Sequence, residues 1–432
     1  MGGLTLAVAL GLQDLRVLIV DRQRAPRGLY KGEILQPRSL EILAALGVLP
    51  TLVERGAVSV GRLSCRSYAG AEICALDYTS VGPPSSTFGH CLIHHHREIK
   101  RALADHLPAS VELRRGVSAT NLVVDGSGRV GGVMLAEGGQ RSLVSTGLTV
   151  ACDGQASRLR AAAGIAVTIE RYDHQLVAFE LSTVVGLDPQ VDAYLTRYGF
   201  RVLFPMPAGQ AHLYAQVPTG AFRSTGRAGM TAFAQWLIET TPALDHVREQ
   251  LTSSPSTAQV MSAFRFNAAT WTRPGLALLG DAAHCVHPMA AQGMNAAIAD
   301  AWALSEQLTA SRRPGAEEVD DALRRYEAAR RERMDYVCRL SHNLATMFAA
   351  TSWYARAGRR YMLRQNRANL RLQHILTYNL SGLGIRRFNL LDRLYQFGLP
   401  DPAAQTIPRH SLQPVLLPAL RRTTEARGSI DQ

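Results

Sequence analysis

The chain has 432 residues, of which 47% are hydrophobic, and this length and composition predict a globular protein of two or three packed domains. No apolar run reaches the roughly 18 residues that span a bilayer, no secretory signal is recognisable and the six cysteines form no C-x-x-C pair, so we expect a cytoplasmic protein without a disulfide framework or zinc site. The net charge of +12 does not indicate a nucleic-acid partner, because all but two of the 47 basic residues are arginines dispersed along the chain.

The first predicted elements are an apolar helix over residues 3–10 and a buried strand over residues 16–20 that ends at Asp21. A helix followed by a strand with an acidic residue at its end is typical of the second half of a dinucleotide-binding βαβ unit, in which the acid binds ribose hydroxyls. This region therefore predicts part of a nucleotide-binding sheet.

Residues 32–43 predict a loop followed by a helix. The apolar face of this helix carries Leu40, Leu43 and Leu46, and Ser39 is a candidate for its N-cap.

Three consecutive histidines, His94 to His96, precede a predicted helix over residues 98–106. Adjacent side chains in a strand point in opposite directions, so three neighbours cannot converge on one ion without ligands from elsewhere. No metal site is predicted here. A short strand at 111–113 is expected after the helix.

Between residues 165 and 264 the pattern changes to strands separated by turns, which predicts an antiparallel sheet. The strands are 177–181, 201–207 and 211–217. In the last of them His212, Tyr214 and Gln216 share one face. Two interpretations of this face stay open, because it either looks into a ligand pocket or forms an outward polar surface.

The clearest signal lies between residues 275 and 308, where a buried strand, a polar turn and a helix follow one another. Leu276 to Leu279 is an apolar run without alternation, typical of a strand covered on both faces. Residues 292–295 should form the entry turn of the helix and direct its N–H groups at a ligand above the strand. Asp281, at the end of the strand, either accepts hydrogen bonds from a polyol or only caps the turn.

The chain after residue 312 is predicted to be mainly helical, with residues 383–399 covering a substrate cavity. Basic residues are most in excess after Arg356, at Arg359, Arg360, Arg364, Arg367 and Arg371. Two interpretations stay open, a solvated helix face and a surface for peripheral contact with an anionic membrane.

The segment around Asp281 resembles the GD motif of the single-component (group A) FAD-dependent aromatic hydroxylases and of the related squalene-type epoxidases. The matching residues are Gly280-Asp281-Ala282-Ala283-His284, Pro288, Gln292-Gly293-Met294-Asn295 and Asp300. The resemblance implies that Asp281 binds the ribityl chain of FAD and that Pro288, Gly293, Met294 and Asn295 lie against the flavin ring. The family usually has a glycine within the stretch where this chain has Met289-Ala290-Ala291, and we expect this difference to narrow the space beside the flavin.

Two further segments are similar to the same family. Residues 32–37 match its G-E-x-L-Q-P segment, which implies that Gln36 and the following Arg38 lie alongside the flavin. Residues 148–160 resemble its DG motif, which implies that Asp153 and Gly154 lie near the flavin. The resemblance also assigns cofactor contacts to Asp21, Arg22, Arg97 and Val117, and a substrate contact to Tyr214.

One part of the family pattern is missing. The first strand and the first two glycines of G-x-G-x-x-G would precede Met1, so only Gly3 matches, as the last glycine of the motif. In the family that strand is central in the sheet and that turn binds the pyrophosphate. We therefore expect the strands beside the missing one to lack a hydrogen-bonded neighbour at the centre of the sheet, and we expect a weakened cofactor site. Either the protein starts further upstream, or it is a degenerate relative that binds flavin poorly or not at all.

The fold implied is α/β, with a Rossmann-like FAD-binding domain similar to that of p-hydroxybenzoate hydroxylase, an antiparallel-sheet substrate domain and a helical C-terminal region. The expected limits are 1–165 and 265–311 for the FAD-binding domain, 166–264 for the substrate domain, 312–400 for the helical region and 401–432 for a loose tail.

The function implied is an FAD- and NAD(P)H-dependent monooxygenase that inserts one oxygen atom from O₂ into an electron-rich aromatic, polyketide or prenylated small molecule. The flavin carries the chemistry, so no catalytic base is assigned, and His284 and His287 are either proton donors or satisfied turn histidines. Hydroxylation or epoxidation, NADH or NADPH, and the oligomeric state stay open. The alternatives are a flavin-dependent reductase of the same fold and a flavin-free remnant with a binding role.

Overall fold

The computed structural model describes residues 1–25, 28, 32–81, 89–222, 227–309 and 315–407. Its helices are α1 (Gly2–Gly11), α2 (Pro37–Ala45), α3 (Leu49–Glu54), α4 (His96–Asp105), α5 (Arg158–Ala162), α6 (Arg227–Thr240), α7 (Arg248–Ser253), α8 (Gly293–Leu308), α9 (Ala316–Ala349), α10 (Trp353–Arg367), α11 (Leu370–Ser381) and α12 (Leu390–Gln396). Its strands are β1 (Val17–Asp21), β2 (Ile34–Leu35), β3 (Val58–Val60), β4 (Arg62–Ser67), β5 (Glu72–Asp77), β6 (Cys91–Ile93), β7 (Val111–Arg115), β8 (Ser118–Val124), β9 (Val130–Glu137), β10 (Gln140–Ser145), β11 (Thr149–Ala151), β12 (Glu170–Leu181), β13 (Gln190–Thr196), β14 (Gly199–Met206), β15 (Gln210–Pro218), β16 (Gln259–Asn267), β17 (Thr272–Arg273), β18 (Leu276–Leu278) and β19 (His284–Cys285).

The parallel strands lie where the sequence predicts a nucleotide-binding sheet. Strand β1 pairs in parallel with β7, and β11 pairs in parallel with β18, whose other edge carries the antiparallel β17. These two groups are separate sheets. All three residues of β18 are fully buried, so the prediction of a strand covered on both faces is confirmed.

Helix α1 approaches the end of β18 and helix α8 closely. A Cβ atom at Gly2 would overlap Leu279 Cδ2 and would lie 3.1 Å from the carbonyl oxygen of Ala297. Gly3, the residue assigned to the cofactor, instead lies against Cys152, whose Cβ would be 3.3 Å from a Cβ at Gly3. The absence of a side chain at Gly2 therefore permits the contact between α1 and α8.

The largest sheet has eight strands in the order β19-β16-β12-β15-β14-β13-β4-β5, and its neighbours are antiparallel except β13 and β4. The predicted antiparallel sheet is thus confirmed by β12, β14 and β15. Phe179 and Leu213 pack on Leu237 of α6, which covers one face of the sheet. The sheet also takes in β4, β5 and β19, so it extends beyond the predicted limits of 166–264, which stay a prediction.

Helix α2 starts earlier than its sequence suggests. Gln36 is the N-cap residue and Pro37 occupies the first turn, where its fixed φ suits a helix start. Ser39 lies inside the helix and donates its hydroxyl to Asn295 Oδ1 at 2.7 Å. The expectation that Ser39 is the N-cap is therefore wrong.

Helix α9 packs against both the core around β18 and the large sheet. Its Val337 packs in the core that contains β18, and its Phe348 packs with Phe200 and Cys65 of the large sheet. Helices α10 to α12 follow, as predicted for a helical C-terminal region. Among the described residues, no helix combines the length and the apolar character that a membrane span requires.

Candidate active site

A cavity of 1270 Å³ is lined by the ends of the parallel strands, by one face of the large sheet and by the C-terminal helices. Its sheet wall is apolar and carries Leu63, Val191, Phe200, Val202 and Phe204. Residues of the segment 383–399, which the sequence predicts to cover a substrate cavity, also line it. Pockets for single drug-sized ligands have volumes of about 300–1,000 Å³, so this cavity has room for more than one ring system.

Asp281 lies where β18 ends, beside the start of α8. Because β11 and β18 are parallel, Gly154 and Asp281 follow strands that end at one edge, and both line the cavity. Gly280 has a φ of +60°, and a Cβ there would lie 2.9 Å from Ala297 Cβ, so glycine permits both the turn and the packing of α8. A Cβ at Gly293 would lie 3.9 Å from Asp281 Oδ1. The carboxylate is therefore close to the first turn of α8, whose N–H groups have no partners within the helix.

Asn295 ties this turn to the G-E-x-L-Q-P segment. Its side-chain nitrogen donates to the carbonyl oxygens of Ile34 at 2.9 Å and Ala291 at 2.7 Å. Its side-chain oxygen accepts from the backbone nitrogen of Gln36 at 2.8 Å and from the hydroxyl of Ser39. Asn295 thus holds together the two segments that the resemblance places beside the flavin.

The residues that replace the family glycine take part in this turn. Ala291 has a φ of 49° and a ψ of 38°, a left-handed conformation that costs an L-residue roughly 1–2 kcal/mol. Its N–H donates to the carbonyl oxygen of Pro288 at 2.8 Å, which helps to hold the conformation. Met289, Ala290 and Ala291 all line the cavity. The expected narrowing of the space beside the flavin stays a prediction.

A buried group of side chains lies at the cavity wall; we call Glu33, His95, Glu180, His212 and Tyr214 the His212 cluster. His212 Nδ1 is 2.9 Å from Glu33 Oε2, and His212 Nε2 is 3.3 Å from Glu180 Oε2. The Tyr214 hydroxyl donates to Glu33 Oε2 at 2.8 Å. Burial lowers the pKa of His212, but the hydrogen bonds to Glu180 and Glu33 outweigh burial and leave that pKa raised. The face of β15 that carries His212 and Tyr214 therefore points inward, and the alternative of an outward polar surface is wrong.

Glu33, His95 and His212 also form a candidate metal-ligand group, with ligand atoms within 4.8 Å of one another. Each ring nitrogen of His212 is within hydrogen-bonding distance of a carboxylate, however. An imidazole that donates from both nitrogens has no lone pair left for a metal. We therefore interpret the His212 cluster as an ion cluster.

Asp300 forms a second buried ion cluster behind the GD turn. It is fully buried, and its carboxylate lies 2.7 Å from His284 Nε2, 2.8 Å from Arg330 Nε and 3.3 Å from the backbone nitrogen of Gly280. Burial raises the pKa of Asp300, but His284 and Arg330 outweigh burial and lower it. His284 is thus engaged by Asp300, which favours the structural interpretation of this histidine.

His287 supports the Pro288 turn. Its Nδ1 accepts from the backbone nitrogen of Met289 at 3.0 Å, and its Nε2 is 2.9 Å from His174 Nε2. Burial, together with the neighbouring histidines, lowers the pKa of His287 to about 3. It is therefore neutral at physiological pH and holds the turn in place.

The residues assigned to the flavin divide into two groups. Those that line the cavity are Gln36, Gly154, Asp281, Pro288, Gly293 and Met294. Asn295 is not among the lining residues, because its side chain bonds to the backbone of Ile34 and Gln36. Asp153 instead caps α5, because its carboxylate accepts from the backbone nitrogens of Arg158 and Leu159. Arg38 pairs with Glu41 at 2.8 Å.

The residues assigned to the adenosine part lie near the end of β1. The carbonyl oxygen of Asp21 accepts from the backbone nitrogen of Val117 at 3.2 Å, so these two residues are adjacent. The carboxylate of Asp21 is 3.7 Å from Lys100 Nζ. Arg22 is exposed and the side chain of Arg97 is 52% exposed. Their roles stay predictions.

The chemistry of the cavity fits FAD at the Asp281 side. A carboxylate accepts hydrogen bonds from the hydroxyls of a ribityl chain. Gly154 has a φ of +85° with no described atom within 4 Å of a Cβ position, so open space lies beside its backbone. The first-turn N–H groups of α8 supply donors for the polar edge of a flavin.

The His212 cluster was missed in the sequence because Glu33 and His212 are 179 residues apart. One signal was available. Glu180 and His212 face each other in the register of β12 and β15, so pairing the two predicted strands 177–181 and 211–217 could have brought them together.

The family model described as "FAD binding domain" matches residues 1–341 of this chain. A 6-methylpretetramide 4-monooxygenase of Streptomyces rimosus is 29% identical over 312 residues, which cover 70% of this chain and 71% of that protein. A rifampicin monooxygenase of Streptomyces venezuelae is 28% identical over 328 residues, which cover 71% of this chain and 62% of that protein.

Solved structures share the fold. PqsL, a probable FAD-dependent monooxygenase from Pseudomonas aeruginosa, matches with a TM-score of 0.71 and 24% identity, over 83% of this chain and 96% of that one. The p-nitrophenol 4-monooxygenase PnpA from Pseudomonas putida matches with a TM-score of 0.73 and 17% identity, over 93% of this chain and 96% of that one.

Proposed function

The chain belongs to the FAD binding domain family, and from that premise we propose that it is an FAD- and NAD(P)H-dependent monooxygenase of the aromatic hydroxylase type. The proposed reaction inserts one oxygen atom of O₂ into an electron-rich aromatic or polyketide substrate. One observation carries the proposal: Asp281, the start of α8 and the apolar face of the large sheet all line the same cavity.

Bound FAD supplies electron transfer from NAD(P)H and the activation of O₂. The residues of this chain bind, orient and exclude water. Asp281 accepts hydrogen bonds from the ribityl hydroxyls, and the apolar wall that includes Phe200 and Phe204 keeps water from the reacting groups. The Tyr214 hydroxyl donates a hydrogen bond to Glu33, so its oxygen is oriented to accept one from a substrate hydroxyl.

The cavity supports a substrate of more than one ring. Its volume of 1270 Å³ exceeds that of common single-ligand pockets and so leaves room for a substrate beside the flavin, and two relatives are named for the multi-ring compounds 6-methylpretetramide and rifampicin. We therefore propose hydroxylation of a polycyclic aromatic or polyketide compound, with the hydroxylated position facing Pro288 and the start of α8, where the flavin ring is expected.

Replacing Asp281 by alanine tests the cofactor site. A hydrogen bond to a charged group contributes about 1.5–3 kcal/mol, so the affinity of Asp281→Ala for FAD should fall by roughly 10- to 100-fold. Titration of the purified full chain with FAD, followed by flavin fluorescence, measures this affinity. The control is Asp245→Ala, which removes a carboxylate that is 66% exposed in an ion pair on the surface, and which should bind FAD like the wild type.

The outcomes separate the alternatives. A wild-type chain that binds no FAD would refute the monooxygenase, whereas equal binding by Asp281→Ala would only remove Asp281 from the site. NAD(P)H consumption that needs both O₂ and an aromatic substrate supports the monooxygenase. Turnover that continues without O₂ supports the flavin-dependent reductase instead.

We also propose that the C-terminal helices contact an anionic membrane surface. Trp353, Tyr354 and Leu390 have 75%, 67% and 77% of their surface exposed. Between residues 353 and 399 the sequence has nine arginines, of which Arg359 is buried, and a single acidic residue, Asp392, which is buried as well. Exposed aromatic and basic side chains together suit the headgroup region of an anionic bilayer. The same helices line the cavity, so an apolar substrate could enter it from the membrane.

Charge reversal at Arg360 and Arg364 tests this contact. Each basic residue near an anionic surface contributes about 1 kcal/mol, so the double variant Arg360→Glu/Arg364→Glu should bind anionic vesicles at least about tenfold more weakly. Co-sedimentation with phosphatidylglycerol vesicles measures the binding. Arg101→Glu/Arg141→Glu, at exposed positions outside this region, is the matched control and should reduce binding much less. Equal loss in both variants, or no wild-type binding, would contradict the contact.

The six free cysteines support a reducing compartment such as the cytoplasm as the proposed location.

A further inference from the structure

Two cysteines face each other in the cavity wall. Strands β4 and β5 are antiparallel neighbours at one edge of the large sheet, and Cys65 lies opposite Cys74 in their register. Opposite residues in an antiparallel pair have Cα atoms about 4.5–5.5 Å apart. Disulfides join Cα atoms about 4.4–6.8 Å apart, so the backbone already places these residues within bonding range.

Neither cysteine is in a disulfide, and the two side chains are hydrogen-bonded to each other. Each residue is only 5% exposed, yet both line the cavity, so a small molecule inside it reaches them while bulk solvent is largely kept away. The hydrogen bond from Cys65 lowers the pKa of the Cys74 thiol, and the same bond raises the pKa of Cys65. Burial and the carboxylate of Glu72 oppose the Cys74 thiolate, but the hydrogen bond from Cys65 and the positive charge of Arg367 together outweigh them.

We propose that Cys65 and Cys74 form a redox-active dithiol, which a hydroperoxide such as H₂O₂ converts reversibly into a disulfide in the cavity wall. In the first step the Cys74 sulfur bonds to one peroxide oxygen, the O–O bond breaks and hydroxide leaves. In the second step the Cys65 sulfur attacks the oxidised Cys74, the S–S bond forms and the second oxygen leaves as hydroxide. With the two thiol protons, two thiols and one H₂O₂ give one disulfide and two waters.

The other cavity cysteines have different surroundings. Cys285 lies opposite Phe266 in its strand pair, and the Cys91 thiol donates to Gln36 Oε1 at 3.4 Å. Burial raises the pKa of Cys91 to about 12, and it does the same for Cys152, which also lines the cavity, so the thiolate is disfavoured at both residues. Cys65 and Cys74 differ from these cysteines because each has the other's thiol opposite it, and both can be reached from the cavity. Its oxidation would link the edge strand β5 covalently to β4.

Thiol mapping after peroxide treatment tests the proposal without depending on the proposed function, because the oxidant is added. The full-length chain is treated with H₂O₂, alkylated under denaturing conditions, digested and analysed by mass spectrometry. We expect the six thiols to fall to four, a peptide cross-linked through Cys65 and Cys74 to appear, and dithiothreitol to restore all six. Cys285→Ser is the matched control and should form the same cross-link.

In Cys74→Ser and Cys65→Ala the cross-link should be absent. Cys74 should carry added oxygen in Cys65→Ala, whereas Cys65, which is not the thiol that attacks the peroxide, should stay a thiol in Cys74→Ser. Two substitutions of different type guard against misfolding of one of them, and thermal unfolding confirms that each variant is folded. The proposal is overturned if the wild-type cross-link joins other cysteines or separate chains. It is also overturned if Cys74 gains oxygen atoms without bonding to Cys65.

Discussion

Asp300→Ala is expected to lower the free energy of unfolding by about 3–5 kcal/mol, the usual cost of removing one partner from a buried ion pair. Asp300 is fully buried and accepts hydrogen bonds from His284 and Arg330. Its removal leaves the Arg330 guanidinium, which is only 14% exposed, without its carboxylate. Urea unfolding at neutral pH, followed by tryptophan fluorescence, measures the change.

Asp245→Ala is the matched control for stability. It also removes an aspartate from an ion pair with arginine, but both side chains are more than half exposed, so the loss should be about 0–1 kcal/mol. Similar losses in the two variants would show that the buried cluster does not stabilise the fold more than a surface pair.

The pH dependence gives a second test of Asp300. Its pKa is lowered in the folded state, so its stabilising contribution is present above its ordinary pKa of 3.8 and is lost as pH falls through the folded value. The wild type should therefore lose more stability than Asp300→Ala on acidification below that pKa.

Asp300 also connects stability to the candidate site. Its carboxylate accepts from the backbone nitrogen of Gly280, directly before Asp281. Loss of Asp300 should loosen this turn, so FAD affinity should fall even though Asp300 does not line the cavity. If Asp300→Ala is less stable but binds FAD like the wild type, Asp300 stabilises the fold without supporting the FAD site.

The local elements of the site could be predicted from the sequence. The apolar run at Leu276–Leu279, the turn at Asp281 and the helix start at Gly293 are neighbours in the chain, so their periodicity and turn residues were sufficient. The register of the parallel strands then places Gly154 and Asp281 at the same edge.

The long-range parts of the site could not be predicted in the same way. Strands β4 and β5 join the large sheet through β13, more than a hundred residues further along the chain, and no local pattern specifies that pairing. For the same reason the His212 cluster, which joins Glu33 to β12 and β15, was not expected.

Capping and turn chemistry were also overridden by tertiary contacts. Ser39 has the side chain of a good N-cap but bonds to Asn295 instead. Ala291 adopts a backbone conformation that favours glycine, because hydrogen bonds from its own N–H to Pro288 and from Asn295 to its carbonyl oxygen hold it there. In both cases a contact with the α8 turn decides the local structure.

His212→Phe is expected to destabilise the fold by about 3–5 kcal/mol, because Glu33 and Glu180 lose their shared cation. Only 1% of the Glu33 side chain is exposed, so its carboxylate cannot turn to solvent instead. The matched control is His246→Phe, at an exposed histidine whose ring bonds to the carbonyl oxygen of Ala243, and it should cost less than about 1 kcal/mol. Urea unfolding at pH 6 compares the three proteins.

His212 and Glu180, which pair in the His212 cluster, lose their stabilising contributions at opposite ends of the pH range. The pKa of His212 is raised in the folded state, so its contribution is fully present below the ordinary value of 6.5 and is lost as pH rises through the folded value. The hydrogen bond to His212 lowers the pKa of Glu180, so that contribution is present above 4.5 and is lost as pH falls through the folded value. The stability that the wild type gains over His212→Phe should therefore be greatest between about pH 4.5 and 6.5 and should decline on both sides. A difference that stays constant from pH 5 to 9 would mean that His212 binds its proton equally well in the folded and unfolded states, and this would contradict the raised pKa of His212.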